Sequence, residues 1–202
     1  MDMPSDQHDA TFADYAEAVA SALPPNPNVV LVGHSLAGMV IPLVALRRPA
    51  GLLIFLCALI PDRRGDPQDH GPRQHLDGTF DGLVHHQDGS HSWPDLHSAT
   101  QILYQDCSLD LAESAFARLR RQQTALWDGL RPMDRWPDVP VASLHCEDDR
   151  AVNPSWSKWV AQRRFGIESI ELPGGHSPML SRPALLAETL ASIADDRLAI
   201  SS

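Results

Sequence analysis

The chain has little positive charge, and Lys158 is the only lysine among its 202 residues. Its 26 acidic residues outnumber its 16 basic ones, the formal net charge is −10, and no run of consecutive basic residues is longer than two. Proteins that bind nucleic acid or anionic membranes need a concentrated basic surface. The composition therefore predicts neither nucleic acid nor a membrane as a partner, and it favours a small molecule.

The chain also lacks long hydrophobic segments and paired cysteines. Its longest apolar run, 52–60, is far shorter than the roughly 20 residues of a membrane span. The first six residues have neither the basic nor the apolar region of a secretory signal. Cys57, Cys107 and Cys146 are an odd, scattered set without C-x-x-C spacing. We therefore predict a cytoplasmic chain in which Cys57 and Cys146 are buried, reduced thiols.

What the sequence does contain is an alternation of helical and strand patterns. Its length and its 43% apolar content suit a single domain over 1–202 with one large core. The first half predicts a helix over 11–23 behind Thr11 as N-cap, a strand buried on both faces over 29–33, a helix from Ser35 to about Arg48 kinked at Pro42, and a strand over 51–58. The second half predicts a strand over 139–146, a helix over 154–165, a strand over 168–172 and a helix over 182–195.

This order predicts an α/β protein with a mostly parallel sheet flanked by helices. The segment 61–137 interrupts the alternation. It lacks clean periodicity up to residue 100, and apolar residues return at helical spacing over 98–127. We interpret the whole segment as one excursion from the sheet.

The sequence VVLVGHSLAGMV at 29–40 places Ser35 where a strand turns into a helix. Gly33 and Ala37, two residues to either side, leave room for a sharp turn that exposes the serine hydroxyl. This is the G-x-S-x-G pattern of a nucleophile elbow with alanine in the last position. Since so short a pattern also arises by chance, a plain glycine-rich turn stays an alternative. The flanking strand and helix favour the elbow.

Two later strand ends carry the residue types that a serine nucleophile needs, namely a base and a carboxylate that orients the base. Asp148 and Asp149 follow one predicted strand and His176 follows the next, at the sheet edge that Ser35 also occupies. The aspartates could instead cap the following helix, and His176 could be an ordinary loop histidine. The chain order Ser, Asp, His favours a catalytic triad.

With these motifs the chain resembles the α/β-hydrolases, and within them the branch of small esterases, hydroxynitrile lyases and plant methylesterases. Residues 10–195 follow the pattern of that branch. GHSLAGM at 33–39 is similar to the elbow, YQDC at 104–107 to the lid, and EDDRAV at 147–152 to the acid loop. The resemblance implies an α/β-hydrolase fold with a helical lid inserted at about 61–137.

The resemblance also implies roles for individual residues. Ser35 matches the nucleophile and His176 the base. Asp149 is favoured over Asp148 as the acid because the family's acid precedes a short apolar pair that leads to a proline, here Pro154. The backbone N–H of Leu36 matches one of the two donors of the oxyanion hole.

Two departures from the family pattern affect the expected chemistry. The family's first strands and a His-Gly loop that donates the second oxyanion N–H, about 45 to 60 residues by usual unit lengths, have no counterpart here. The fold is therefore expected to be truncated at its N-terminal side. Hydroxynitrile lyases of this branch have a lysine directly after the histidine, where this chain has Ser177. Hydrolysis is therefore favoured over lyase chemistry.

The expected function is hydrolysis of a small carboxylic ester through an acyl-enzyme, with no cofactor. Three alternatives stay open. The chain could be a catalytically impaired or receptor-like relative that binds a small ligand. It could be a C–C lyase of the hydroxynitrile-lyase type, or a truncated product that folds poorly.

The excursion is rich in histidine and aspartate, which are ligand types for transition metals. Its histidines are His70, His75, His85, His86, His91 and His97. Because no pair shows a ligand spacing backed by a predicted helix, we favour a solvated loop and predict no metal site. Lid residues set specificity in the family that the chain resembles. The candidate substrate-binding residues are therefore His34, His86, Trp93 and Tyr104.

The family places another strand beside the elbow strand, and its absence would leave one edge of strand 29–33 unpaired. Unpaired N–H and C=O groups on a long apolar strand form a template for pairing with another chain. We therefore expect the chain either to self-associate through this edge or to be marginally stable.

Overall fold

A computed structural model describes residues 3–5, 7–25, 29–63, 71–128 and 133–200. The β-strands in these ranges are Val30–His34 (β1), Leu52–Leu56 (β2), Val84–His85 (β3), Ser90–Ser92 (β4), Gln122–Gln123 (β5), Val141–Cys146 (β6) and Ile170–Leu172 (β7). The α-helices are Phe12–Ala22 (α1), Ile41–Ala45 (α2), Leu96–Leu103 (α3), Leu109–Phe116 (α4), Ala125–Asp128 (α5), Pro154–Phe165 (α6), Pro178–Ser181 (α7) and Pro183–Ile200 (α8). A 3₁₀ helix spans Ser35–Met39.

The main sheet has the strand order β1-β2-β6-β7, and every neighbouring pair in it is parallel. Strand β2 is central, and all five of its residues are buried. Leu53 and Phe55 pack into a core cluster with α1, α2 and α6 on one face, and Ile54 packs into a second cluster with α8 on the other. The predicted sheet flanked by helices is confirmed, because buried apolar strands need helices on both faces.

Helix α6 begins and ends at the residues that the sequence predicts, 154 and 165. Asn153 caps it through its side chain, which accepts from the Ser155 N–H at 3.0 Å, and Pro154 occupies the first turn. Gly166 ends it in the left-handed conformation, with φ of 66°. Helix α1 likewise has the predicted cap, since the side chains of Thr11 and Asp14 form a capping box.

The helix predicted from Ser35 to about Arg48 is wrong in its detail. The 3₁₀ helix ends at Met39, and the short helix α2 follows it over Ile41–Ala45. Pro42 lies in the first turn of α2, where a missing N–H costs no helical hydrogen bond. The proline therefore begins a new helix here and does not kink a longer one.

The excursion contains more regular structure than its sequence indicates. Strands β3, β4 and β5 form a small antiparallel sheet in that order. Each has only two or three residues, mostly His, Ser and Gln, so no hydrophobic alternation marks it. The helical spacing over 98–127 corresponds to helices α3 and α4. After α4 the helix prediction is wrong, because the chain forms strand β5 there. His70 lies outside the described residues, and the boundaries of a lid stay a prediction.

Two smaller expectations concern burial and membranes. Cys57 and Cys146 are free, fully buried thiols, as predicted, and their sulfur atoms lie 3.3 Å apart. In the described part of the chain, no helix combines the length and the apolar character that a bilayer crossing requires.

Strand β1 is not buried on both faces, contrary to the prediction. Leu31 is only 6% exposed, whereas Val32, which points to the opposite face, is 41% exposed. In the described ranges β1 pairs only with β2 and so forms an edge of the sheet. Helix α8 covers this face over β2, which leaves Val32 partly in contact with solvent.

We expect the chain either to self-associate through this apolar edge, as unpaired strand edges do, or to be marginally stable. Val32→Lys should weaken association at least about tenfold, because an interface would have to bury an ammonium group. Size-exclusion chromatography with light scattering over a concentration series measures the effect. Leu111→Lys is the matched control, since Leu111 is 42% exposed on helix α4. A monomeric wild-type chain with a sharp thermal transition at all concentrations would contradict the expectation.

Candidate functional site

Ser35 lies in a turn that only small neighbours permit. It directly follows β1 and has φ of 53°, a left-handed conformation that is rare for a residue with a side chain. A Cβ on Gly33 would lie 2.9 Å from the carbonyl oxygen of Ala37, so the end of β1 and the 3₁₀ helix pack backbone against backbone. The Leu59 N–H donates to the Ser35 carbonyl oxygen at 3.0 Å and ties the turn to the segment after β2.

Asp149 and His176 form a buried pair at the neighbouring strand ends. The Nδ1 atom of His176 lies 2.9 Å from Oδ2 and 3.0 Å from Oδ1 of Asp149. His176 is 2% exposed and Asp149 is 3% exposed. With Nδ1 facing a carboxylate, the proton belongs on Nδ1, and Nε2 carries the lone pair.

The Asp149 carboxylate also accepts two backbone hydrogen bonds. Its Oδ1 atom accepts from the N–H groups of Ala151 and Val152 at 2.8 and 2.9 Å. Asp148 is exposed and forms hydrogen bonds through its backbone: its N–H donates to the Gly174 carbonyl at 3.0 Å, and its carbonyl accepts from the Gln105 side chain at 2.7 Å. The structure therefore pairs His176 with Asp149, and the side chain of Asn153 caps the next helix.

Residues between α3 and α4 hold the loop that carries His176. Asp106 accepts a hydrogen bond from the Gly175 N–H at 3.1 Å and forms an ion pair with Arg182. Burial opposes ionisation of Asp106, but the hydrogen bonds from Gly175, Ser181 and Arg182 outweigh it and hold the pKa of this carboxyl below its usual value. Gly174 is required here, because its φ is 95° and a Cβ would collide with Asp106 and Arg182.

His34 packs against His176 and stays neutral. Its Nε2 atom donates to the backbone carbonyl of His176 at 2.8 Å, and the two ring centroids lie 4.6 Å apart. Burial, reinforced by the neighbouring His176, lowers the pKa of His34 to about 3. A neutral His34 fixes the loop without placing a positive charge beside His176.

A cavity of about 660 Å³ joins these residues to the small sheet. Ser35, Leu36 and His176 line it, and most of its wall is apolar, including Leu36, Phe80, Trp93, Tyr104, Val152 and Met179. Of the residues predicted to contact a ligand, His34, Trp93 and Tyr104 line the cavity. The structure does not bring His86 to it, and the His86 Nε2 atom lies 2.9 Å from the Ser92 hydroxyl oxygen instead.

The sequence alone did not identify several residues of this site. His75 lines the cavity with its Nδ1 atom 2.6 Å from the Ala151 carbonyl oxygen, and burial lowers its pKa. Asp106 lies inside the YQDC motif, which could have drawn attention to it. Its contact with Arg182 could not be predicted, because the two residues are 76 positions apart in the sequence. Within the described ranges, no three His, Cys, Asp or Glu side chains are grouped so that they could hold a metal ion.

Comparisons with known proteins give a consistent result. The sequence model of the alpha/beta hydrolase family matches residues 2–189. Polyneuridine aldehyde esterase of Rauvolfia serpentina is 25% identical over 92% of this chain and 77% of that protein. Alpha-hydroxynitrile lyase of Arabidopsis thaliana is 29% identical over 87% and 73%. The crystal structure of a pyrethroid hydrolase from Sphingobium faniae JZ-2 superimposes with a TM-score of 0.72 at 22% identity, over 92% of this chain and 78% of that one.

The neutral state of His34 makes the stability of the fold dependent on pH. Unfolded His34 takes up a proton below about pH 6.5, whereas folded His34 does so only near its lowered pKa of about 3. Acidification through this window therefore favours unfolding. His34→Gln keeps a donor for the His176 carbonyl but cannot take up this proton. Between pH 6.5 and pH 5, its free energy of unfolding should therefore fall by about 1 to 2 kcal/mol less than that of wild type.

Urea unfolding at both pH values measures the difference between the two proteins. His8→Gln is the control, because His8 is exposed on the surface. Equal losses of stability for wild type and His34→Gln would show that His34 is protonated in the folded state above pH 5.

Proposed function

The chain belongs to the alpha/beta hydrolase family, and from that premise we propose that it is a serine hydrolase that cleaves a small carboxylic ester. One observation carries the proposal. A buried Asp149–His176 pair lies beside the cavity that Ser35 also lines, and Ser35 stands on the left-handed turn typical of a nucleophile elbow. The relatives named as esterases, at about 25% identity, agree with this chemistry.

The proposed mechanism assigns one role to each of these side chains. The Ser35 Oγ attacks the ester carbonyl carbon while Nε2 of His176 takes its proton. Asp149 holds the ring with Nε2 facing the serine and stabilises the imidazolium. The protonated Nε2 then gives its proton to the leaving alcohol, which leaves an acyl group on Ser35. Water deprotonated by His176 attacks this acyl group and releases the carboxylic acid.

The negative oxygen of the tetrahedral intermediate needs hydrogen-bond donors. The N–H of Leu36 is the proposed donor, because it follows the nucleophile directly and lines the same cavity. Loss of one such donor costs about 10²- to 10³-fold in rate in a well-studied protease, so the proposed hydrolysis should depend strongly on the Leu36 N–H.

A lyase function is the weaker candidate, although a hydroxynitrile lyase is among the relatives. The position after His176 is Ser177, a buried residue without a charge. Lys158 lies on α6, and its Nζ forms an ion pair with Glu171 at 2.7 Å. Neither residue supplies the positive charge that cyanide would need beside His176.

A fluorophosphonate probe should label the wild-type chain on Ser35, because the probe reacts with activated serines. Ser35→Ala should abolish the label, and peptide mass spectrometry locates it. Ser92→Ala is the control, since it removes a different serine of the cavity wall and should keep the label. Labelling that persists in Ser35→Ala overturns the proposed nucleophile. A wild-type chain that binds esters but takes no label supports a receptor-like relative.

Asp106→Asn should lower kcat about tenfold with little change in KM. The loop that carries His176 would lose its charged acceptor, and small displacements of a reacting group are costly. The rate of fluorophosphonate labelling should fall in parallel. Asp110→Asn, on the exposed surface of α4, is the matched control. If kcat stays unchanged while the melting temperature falls, Asp106 has a structural role only.

A further inference from the structure

Tyr104 lies in the wall of the cavity that Ser35 and His176 also line. It caps the C-terminal end of α3, where its N–H donates to the Thr100 carbonyl at 3.2 Å. Its own carbonyl accepts from the Cys107 N–H at 3.0 Å. The backbone of Tyr104 is therefore held on both sides, and the cavity receives its side chain from a fixed position.

The two residues after Tyr104 connect this position to the loops of the buried Asp–His pair. The side-chain amide of Gln105 donates to the Asp148 carbonyl at 2.7 Å. Asp106 accepts from the Gly175 N–H at 3.1 Å. Since Tyr104 directly precedes both residues, it belongs to the part of the wall that lies against these loops.

The hydroxyl group of Tyr104 is a buried polar group without a protein partner. Tyr104 is only 5% exposed and packs in a cluster of apolar side chains that includes Trp93, Leu103 and Leu180. In the part of the chain that the structure describes, its hydroxyl makes no hydrogen bond. Buried tyrosine hydroxyls usually have a partner, because an unpaired one has lost its hydrogen bonds to water. A ligand that displaces water from the cavity would therefore have to supply that partner.

The protonation state of Tyr104 determines which ligand group fits it. Burial, followed by the nearby Cys107, raises the pKa of Tyr104 above its ordinary value. The hydroxyl therefore keeps its proton at neutral pH and can donate one hydrogen bond. A ketone oxygen, which is neutral and only accepts, can be bound by a single donor. A carboxylate would need several donors to replace its water.

We propose that Tyr104 donates a hydrogen bond to a second, neutral carbonyl oxygen of the substrate, so that the preferred substrate is an oxo ester, an ester that also carries a ketone. This inference rests on the proposed ester hydrolysis at Ser35. Tyr104 contacts the ketone and no reacting atom, so its role is to determine specificity. An ester without the ketone leaves the buried hydroxyl unpaired, and such a mismatch is costly.

The test compares esters that differ by one ketone group in a steady-state assay. Methyl esters of linear oxo acids, with the ketone moved along the chain, are paired with the plain methyl esters of the same length. A second series carries the ketone in the alcohol part. At the best ketone position, the ratio of kcat/KM for the oxo ester to kcat/KM for the plain ester should be about tenfold higher in wild type than in Tyr104→Phe. The effect of the ketone on ester reactivity is the same for both proteins and cancels in this comparison.

Tyr15→Phe is the matched control, because Tyr15 is the second of the two tyrosines in the chain. It lies in the core beside the main sheet and is not among the described residues that line the cavity. Tyr15→Phe should leave the ratio at its wild-type value. A ratio that falls equally in both variants would contradict a contact between Tyr104 and the ketone.

Two further measurements separate a substrate contact from other roles. The melting temperature of Tyr104→Phe should equal that of wild type, because the removed hydroxyl has no partner in the described chain. A decrease of more than about 3 °C would show a structural partner and overturn the assignment. The preference should be constant from about pH 6 to pH 8, because Tyr104 stays protonated. A preference that titrates in this range would belong to a histidine of the wall and would also overturn it.

Calorimetry with the Ser35→Ala chain separates this inference from the proposed function. If wild type hydrolyses esters and Tyr104→Phe does not change the ratio, the ketone site is overturned and the hydrolase function stands. If no ester is hydrolysed, Ser35→Ala should still bind the oxo ester more tightly than the plain ester, and adding Tyr104→Phe should remove the difference. The site then stands without hydrolysis. Equal binding of both esters by Ser35→Ala overturns the site.

Discussion

The buried Asp149 carboxylate is the group on which the candidate site depends. A charged carboxylate so deeply buried is stable only if hydrogen bonds and a partner replace its water. The N–H groups of Ala151 and Val152 and the ring of His176 provide them. Because these partners follow two neighbouring parallel strands, the pairing of β6 with β7 fixes where the base stands. Ser35 follows β1 at the same edge of the sheet.

Parts of the fold with strong local signals could be predicted from the sequence. The apolar run of β2 and the caps of α1 and α6 fix their positions within a few residues, because burial and capping act locally. The three short strands could not be predicted, since a strand of two polar residues is set by its partners and not by its own pattern. The exposure of Val32 was missed because burial depends on which elements cover a strand.

The candidate site likewise contains residues that could be predicted from the sequence and residues that could not. Ser35, Asp149 and His176 could be proposed because each follows a recognisable strand at one sheet edge. Asp106 and the cavity-lining residues of the small sheet follow no such strand. Their positions result from contacts between distant segments, as when Arg120 and Gln122 reach the cavity through a sheet that the hydrophobic pattern does not predict.

The contacts of Gln105 and Asp106 have a mechanical consequence. Both follow α3, next to the cavity-lining residue Tyr104, and they bind the loops that carry Asp149 and His176, through the Asp148 carbonyl and the Gly175 N–H. If this wall swings outward to admit a ligand, it removes partners from both loops at once. In that case, opening the cavity would also loosen the Asp149–His176 pair.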